Sequence, residues 1–398
     1  MGSLLIKNVR LDDHTTDILI EDRRFKSLSA PEGTLVDSVI DAAGMAILPP
    51  FYNTHTHAAM SLLRGYADDM PLQKWLTEYI WPFESKMTAA DIRKGSELAV
   101  REMIKTGTVF FSDMYFDIEE TIEVVQRYGM RAAIGVTFME SHNKAQQAEK
   151  LEVLHNWSDP TGGRICLTVA PHAIYTVGQE MLVRCAETAR ELGMILHIHL
   201  SETRQEVEDC LQQKGTTPVR YLEKLGVLGP NVVAAHAVHV DEEEADILAK
   251  HGVTLAHCPC SNMKLSSGNF PYAMLKKAGC HIALGTDGDS SNNNLDMREE
   301  MKFAALLAKF SSGDPRTMPA GEALEVATRN GAEAFGIDAG VIAEGKLADA
   351  ILVRLDDERM QPCYHLASNW VYAAGSSCID TVICDGRILM QGREILVG

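Results

Sequence analysis

Much that would place a protein at a membrane, on a nucleic acid or in an oxidising compartment is missing from this sequence. Nowhere do about 18 apolar residues follow one another, the least that a membrane-spanning helix needs. The first residues, Met1-Gly2-Ser3-Leu4-Leu5-Ile6-Lys7, carry no basic segment followed by a long apolar run, so no secretory leader is read there. Positive charge is scarce: 37 Lys and Arg face 55 Asp and Glu, for a net charge of −18, and no basic patch offsets it. A phosphate backbone would be repelled. The nine cysteines have a single close pair, Cys258-Pro259-Cys260, without the partner spacing of a zinc knuckle. Met263 stands where a Pro-Cys-x-x-Cys deaminase motif needs its second cysteine. Reduced, buried thiols are expected, and with them a soluble cytoplasmic protein with neither a nucleic-acid nor a membrane partner.

What is present is ordinary globular composition, 46% apolar and 23% charged over 398 residues, with no low-complexity tract or strong repeat. That length fits a barrel of about 250 residues with a satellite domain. Residues 1 to 48 alternate apolar and polar in short runs, Leu4 to Val9 and Thr16 to Ile20, broken by turn residues. The tail returns to this style in Ala350 to Leu355, Asp380 to Gly386 and Arg387 to Met390. Because chain termini often lie close together, residues 1–48 and 345–398 are expected to form one small β domain, a β-sandwich, beside a catalytic barrel of residues 49–344.

Between these ends the pattern changes to short β-rich runs separated by helical stretches such as Met181 to Leu192, the signature of βα units. The runs lead through Phe51 to His55, Thr108 to Asp113, Arg131 to Val136, Ile165 to Ala170, Met194 to Leu200, Val232 to Ala237, Val253 to His257 and His281 to Asp287. Eight such units predict a closed (β/α)8 barrel of α/β class. Ser61 to Lys86, after the first run, is long enough for a loop or helical excursion over the barrel mouth.

Functional residues of such barrels sit at the carboxyl ends of the strands. The first strand ends in Thr54-His55-Thr56-His57, whose imidazoles at i and i+2 share one side as a chelating pair requires. By itself the pair would serve equally as core or surface histidines. Its company changes the reading: strand five ends in His197-Ile198-His199-Leu200-Ser201-Glu202, strand six in Ala235-His236, and strand eight in Gly285-Thr286-Asp287-Gly288.

With these residues in view, the sequence resembles the amidohydrolase superfamily, specifically its mononuclear zinc or iron deaminases. The resemblance implies a single divalent metal held by His55, His57, His199 and Asp287, zinc first and iron as the alternative, since imidazoles with one carboxylate suit both. It assigns Glu202 to proton transfer at the substrate ring and His236 to polarising the attacking water or product oxygen. The chemistry agrees, because removing an amino group with water needs activated water and a group that protonates ring nitrogen and ammonia. Otherwise Glu202 is a solvated carboxylate opening the next helix. Two-metal relatives bridge their ions with a lysine ending strand four, but that strand here runs Thr168-Val169-Ala170-Pro171-His172.

A narrower resemblance, to 5′-methylthioadenosine/S-adenosylhomocysteine deaminases and their 5′-deoxyadenosine relatives, rests on His57 to Gly65, Trp81-Pro82-Phe83-Glu84, Ala170-Pro171-His172, and His257 to Leu265 followed by Gly285 to Gly288. It implies that Glu84 holds ribose hydroxyls and that His172 contacts a small nucleoside, in a protein for which a homo-oligomer is an open option. An exposed helix residue is the alternative for Glu84, a capping or core histidine for His172. Trp75, Tyr79, Trp81 and Phe83 serve either as an apolar wall for substrate or as the core of the excursion. Relatives accepting the homocysteine group carry arginines after strand three. Here Ile134 to Met139 is apolar, with only Lys144 and Lys150 nearby, which favours neutral 5′ groups. Free bases and triazines are the competing substrates on the same metal shell, and a catalytically silent metal-binding barrel the competing class.

Overall fold

The computed structural model describes residues 2–398 and contains two sheets. The first strands are β1 (Leu4–Leu11), β2 (His14–Glu21), β3 (Arg24–Ser27), β4 (Ser38–Asp41) and β5 (Met45–Leu48). The barrel strands follow: β6 (Phe51–Thr56), β7 (Thr108–Tyr115), β8 (Arg131–Phe138), β9 (Ile165–Pro171), β10 (Leu196–Leu200), β11 (Val232–His236), β12 (Thr254–His257) and β13 (His281–Leu284). The chain closes with β14 (Ala350–Arg354), β15 (Ile379–Cys384), β16 (Arg387–Gln391) and β17 (Glu394–Ile395).

Both chain ends enter one nine-stranded sheet, ordered β17-β16-β15-β14-β5-β1-β2-β3 with β4 beside β1. Period-two alternation explains how it faces two cores at once. On β14, Ala350 and Leu352 pack with Ile6, Ile20 and Phe25 into a small core of this sheet, while Ile351 and Val353 pack into the barrel's core. On β5, Ile47 takes the first side and Ala46 and Leu48 the second.

β6 to β13 pair in chain order and in parallel, with helices on the outside. β7 and β8 are buried at every position, as strands covered on both faces must be. The seam between β13 and β6 is drawn together by Thr54 Oγ1, which donates to the Leu284 carbonyl at 2.8 Å, and by the Asp287 amide, which donates to the His55 carbonyl at 3.0 Å. A Cβ at Gly285 would stand 2.9 Å from the His55 backbone, so only glycine passes this seam. The eighth strand therefore ends at Leu284, and Gly285 to Asp287 turn across the mouth.

Strand five begins at Leu196 instead of Met194, because the preceding helix, Gln179–Leu192, is capped by left-handed Gly193 and by the Met194 amide bonding back to Ala189 at 2.8 Å. The excursion after β6 is largely helical and has its own apolar cluster, including Met60, Leu63, Trp75, Leu76 and Ile80. Among the described residues no helix is long and apolar enough to cross a membrane.

Candidate active site

His55 lies within β6 and His57 immediately after it, His199 on β10, and Asp287 beyond β13, so four ligand-type side chains arrive from three strand ends, two beside the β13–β6 seam and one across the mouth from it. His57 Nε2 is 3.2 Å from Asp287 Oδ1 and 3.4 Å from His199 Nε2, while His55 Nε2 is 3.5 Å from Asp287 Oδ1. Ligands at about 2.0–2.1 Å around a tetrahedral ion stand about 3.3–3.4 Å apart, so these spacings suit zinc or an ion of similar size.

The other nitrogen of each imidazole explains why Nε2 is the one left free. His57 Nδ1 donates to the Met114 carbonyl at 2.7 Å, and His199 Nδ1 donates to the His172 carbonyl at 2.8 Å. His55 Nδ1 lies 2.9 Å from His197 Nε2, whose Nδ1 in turn lies 3.1 Å from Ser112 Oγ. One proton assignment serves the whole row: His55 donates to His197, and His197 donates to Ser112. It leaves His55 Nε2 buried without a hydrogen-bond partner, facing the same point as the other ligand atoms. Burial pushes the His55 imidazole down to about 4 and His199 well below its ordinary range. At His57 burial also opposes the charge, but the Asp287 carboxylate outweighs it and lifts the imidazole to about 9. A buried carboxylate among three rings makes this a point that attracts positive charge.

Glu202, 5% exposed, is not the solvated residue that a helix start would give: the helix Arg204–Lys214 begins later, capped by Thr203. Burial raises the Glu202 carboxyl, and Ser267 Oγ donates to its Oε1 at 3.2 Å. Its Oε2 is 3.8 Å from His236 Nε2, which is 3.9 Å from Asp287 Oδ2. His236 Nδ1 is oriented by Asn262 Oδ1 at 2.9 Å, and Asp287 Oδ2 accepts from Ser261 Oγ at 2.6 Å. Ser201, His236, Ala237 and Asp287 all take left-handed backbone conformations at this mouth, with φ of 48°, 73°, 46° and 61°. Non-glycine residues hold such angles only when their surroundings fix them.

These groups open into a shared cavity at the barrel mouth, lined also by Met60, Met114 and Tyr115. Glu84 reaches it from the helix Trp81–Glu84, where Tyr115 donates to its Oε1 at 2.7 Å and burial raises its carboxyl. His172 lines the same cavity, with Nδ1 at 2.8 Å from Thr176 Oγ1 and its ring pushed down by burial to about 3. All four of the excursion's aromatic residues pack in its own cluster, and Trp75 and Trp81 line the cavity as well.

All eight residues singled out in the sequence thus lie around one cavity or its metal-sized cage. His197, Ser112, Tyr115, Asn262, Ser267 and Glu206 join the site without a role foreseen from the sequence. His197 carried a usable signal, since it shares a side of β10 with His199, two residues on. The others act across strands, and no local spacing announces them.

Residues 46–389 match the amidohydrolase family. The chain is similar to a 5-methylthioadenosine/S-adenosylhomocysteine deaminase of Syntrophomonas wolfei subsp. wolfei, 46% identical over 386 residues that cover 95% of this chain and 89% of that one. It is also similar to a 5′-deoxyadenosine deaminase of Methanosarcina mazei, 41% identical over 409 residues covering 100% of this chain and 95% of that one. Among solved structures it matches an adenosine deaminase from Xanthomonas campestris with bound zinc, at a TM-score of 0.94 and 32% identity over 99% of this chain and 94% of that one. With matches of this length on the barrel described above, the chain belongs to the amidohydrolase family.

Proposed function

We propose that this protein is a metal-dependent hydrolytic deaminase that converts an adenosine-type nucleoside and water to the inosine analogue and ammonia. The observation that carries the reading is a pair of overlapping groups, His55 with His57 and His199 and His55 with His236 and Asp287, that bring imidazole nitrogens and a carboxylate together beside a buried glutamate at the barrel mouth. His55, His57, His199 and Asp287 are the ligands of one divalent ion, zinc first and iron second. The orphaned Nε2 of His55 and the tetrahedral spacings support this assignment. The ion supplies water activated for attack at neutral pH. Strand four ends in Ala170-Pro171-His172, with no lysine to bridge a second ion.

Glu202 handles the protons. From its place beside the cage its carboxylate can take one proton from the attacking water and give it to the ring nitrogen, then take the second from the added hydroxyl and give it to the departing amine. His236, oriented by Asn262, faces the same point and polarises the oxygen that is added. Glu84 accepts from the vicinal ribose hydroxyls, and His172 contacts the nucleoside. Trp75 and Trp81 offer the apolar wall. The barrel, residues 49–344, carries all of these groups, and the composite β domain, 1–48 with 345–398, carries none. A small nucleoside is the partner, and nine unpaired cysteines fit a cytoplasmic setting.

At the 5′ end the outer recess is bounded by Phe116, Met139, Tyr175 and Glu140, without an arginine or lysine. Deoxy, methylthio and hydroxyl groups therefore suit it better than the carboxylate of S-adenosylhomocysteine. Ammonia release from metal-loaded enzyme tests the reading, with adenosine, 5′-deoxyadenosine, 5′-methylthioadenosine, S-adenosylhomocysteine, guanine and cytosine as substrates and chloride release from a chlorotriazine. Turnover of the adenosines is expected, with the homocysteine compound trailing. Turnover confined to free bases or the triazine would overturn the roles of Glu84 and the nucleoside while leaving the metal site standing.

A further inference from the structure

Glu206 stands outside the cavity and is 6% exposed, yet no arginine or lysine forms an ion pair with it. Thr203-Arg204-Gln205-Glu206 has the sequence of a capping box, in which the glutamate would turn back to the amide of the capping threonine. Half of that pattern forms, since Thr203 Oγ1 accepts from the Glu206 amide at 3.2 Å. The carboxylate goes elsewhere: Oε1 accepts from the Ser201 amide at 2.9 Å and Oε2 from the Glu202 amide at 2.7 Å.

These two amides flank Ser201, whose φ of 48° turns the chain out of β10 and sends Glu202 inward. The Ser201 carbonyl then accepts from the Val238 and His239 amides at 3.1 and 2.9 Å, and the Leu200 carbonyl accepts from the Ala237 amide at 2.9 Å. Those bonds pin the second left-handed turn, His236-Ala237, against the first. The sequence of contacts runs from one carboxylate, through two backbone turns, to the two side chains that flank the cage.

We infer that Glu206 is a positioning residue, whose carboxylate grips the Ser201 and Glu202 amides and so fixes the paired turns that aim Glu202 and His236 into the cavity. The inference rests on the reading of Glu202 and His236 given above. Glu206 does not line the cavity and meets Glu202, which does, only at its backbone amide, so its removal should disturb proton handling more than metal or substrate binding.

Glu206→Gln keeps the shape but sets an amide NH2 against one of the two N–H donors. With 5′-deoxyadenosine as substrate, kcat per bound metal should fall about 10–100-fold, the effect of roughly an ångström of misplacement, with KM changed less than about threefold. Metal content should stay at that of the unmutated enzyme, and the solvent deuterium isotope effect on kcat should rise. Glu208→Gln, an exposed position on the same helix, should match the unmutated enzyme in every respect. A merely stabilising Glu206 would lower the melting temperature and leave kcat per metal intact, and that result would overturn the inference, as would a loss of kcat that simply tracks lost metal. Should Glu206→Gln fail to fold, Glu206→Asp, whose shorter stem reaches only one amide, carries the same test: reduced kcat at unchanged KM supports the inference, and full kcat overturns it. Glu202→Gln is measured in parallel. If that variant keeps full activity, the reading of Glu202 fails; if it is inactive while Glu206→Gln matches the unmutated enzyme, the present inference alone fails.

Discussion

At the lower end of the barrel Arg131 opens β8 with its guanidinium between two buried carboxylates, 2.9 Å from Asp349 and 2.5 Å from Asp385. Tyr52 donates to Asp349 at 2.7 Å, and Arg23 reaches Asp385 from the other side at 2.6 Å. At the upper end Asp287 is just as enclosed, but its partners are imidazoles, the Ser261 hydroxyl and the Gly288 amide. The lower cluster supplies its own cations and ties the barrel to the sheet of the chain ends. The upper one draws its ligand atoms to a point where a cation from solution fits. The same cost of burying charge is met in one place by the sequence and in the other by a ligand.

The sharpest way to break this contrast is to neutralise one end at a time. Asp287→Asn should leave less than about a tenth of the metal bound and reduce ammonia release by about 10³-fold or more, with the fold intact, as metal analysis and circular dichroism would show. Arg131→Met should do the reverse. Two carboxylates lose their shared partner, so denaturant unfolding should report a loss of about 3–5 kcal/mol, while kcat per folded, metal-loaded molecule stays within about twofold. Equal losses of activity per metal in both variants would erase the distinction between the two ends.

A smaller effect is expected one layer behind the upper cluster. His197 accepts the Nδ1 proton of His55 and passes the order on to Ser112. His197→Leu removes that acceptor and frees the His55 ring to turn or to change tautomer. Metal affinity, measured by competition with a chelator, should fall about 10–100-fold, whereas the effect on stability should stay below that of Arg131→Met.

How much of this was legible beforehand follows from the range over which each signal acts. The barrel strands showed themselves because parallel strands buried on both faces are continuous apolar runs, and the proposed ligands His55, His57, His199 and Asp287 drew notice because they lie at the ends of such runs. The sheet of the chain ends was legible from its period-two alternation. What escaped was set by contacts across the chain. Gly285 looks like any loop glycine until His55 stands against it. Glu206 reads as half of a capping box, and only the fold shows its carboxylate reaching past the cap to Ser201 and Glu202. Met194 reads as strand and is instead taken up by the cap of the preceding helix.

Glu300 lies between the two extremes, a buried carboxyl whose hydrogen-bond donors are neutral. It sits on the helix Met297–Ser312 and accepts from the Cys260 amide at 3.0 Å and from Asn292 Nδ2 at 2.6 Å, joining the loops that follow β12 and β13. Burial outweighs both donors and raises its carboxyl from 4.5 to about 8. Below pH 4.5 the group is protonated folded or unfolded, and its contribution to stability is fully present and does not vary with pH. Between there and about 8 the folded chain keeps a proton that the unfolded chain gives up, so this group's contribution to stability declines as pH rises through that window and is fully lost near its top. Glu300→Gln cannot titrate. Its stability between pH 5 and 8 should therefore decline less steeply than that of the unmutated protein, by about 1.4 kcal/mol per pH unit at most, whatever its absolute value. Parallel curves from urea titrations across that range would mean that Glu300 is ionised throughout, and that the neutral donors around it stabilise a buried charge as well as Arg131 does at the lower end.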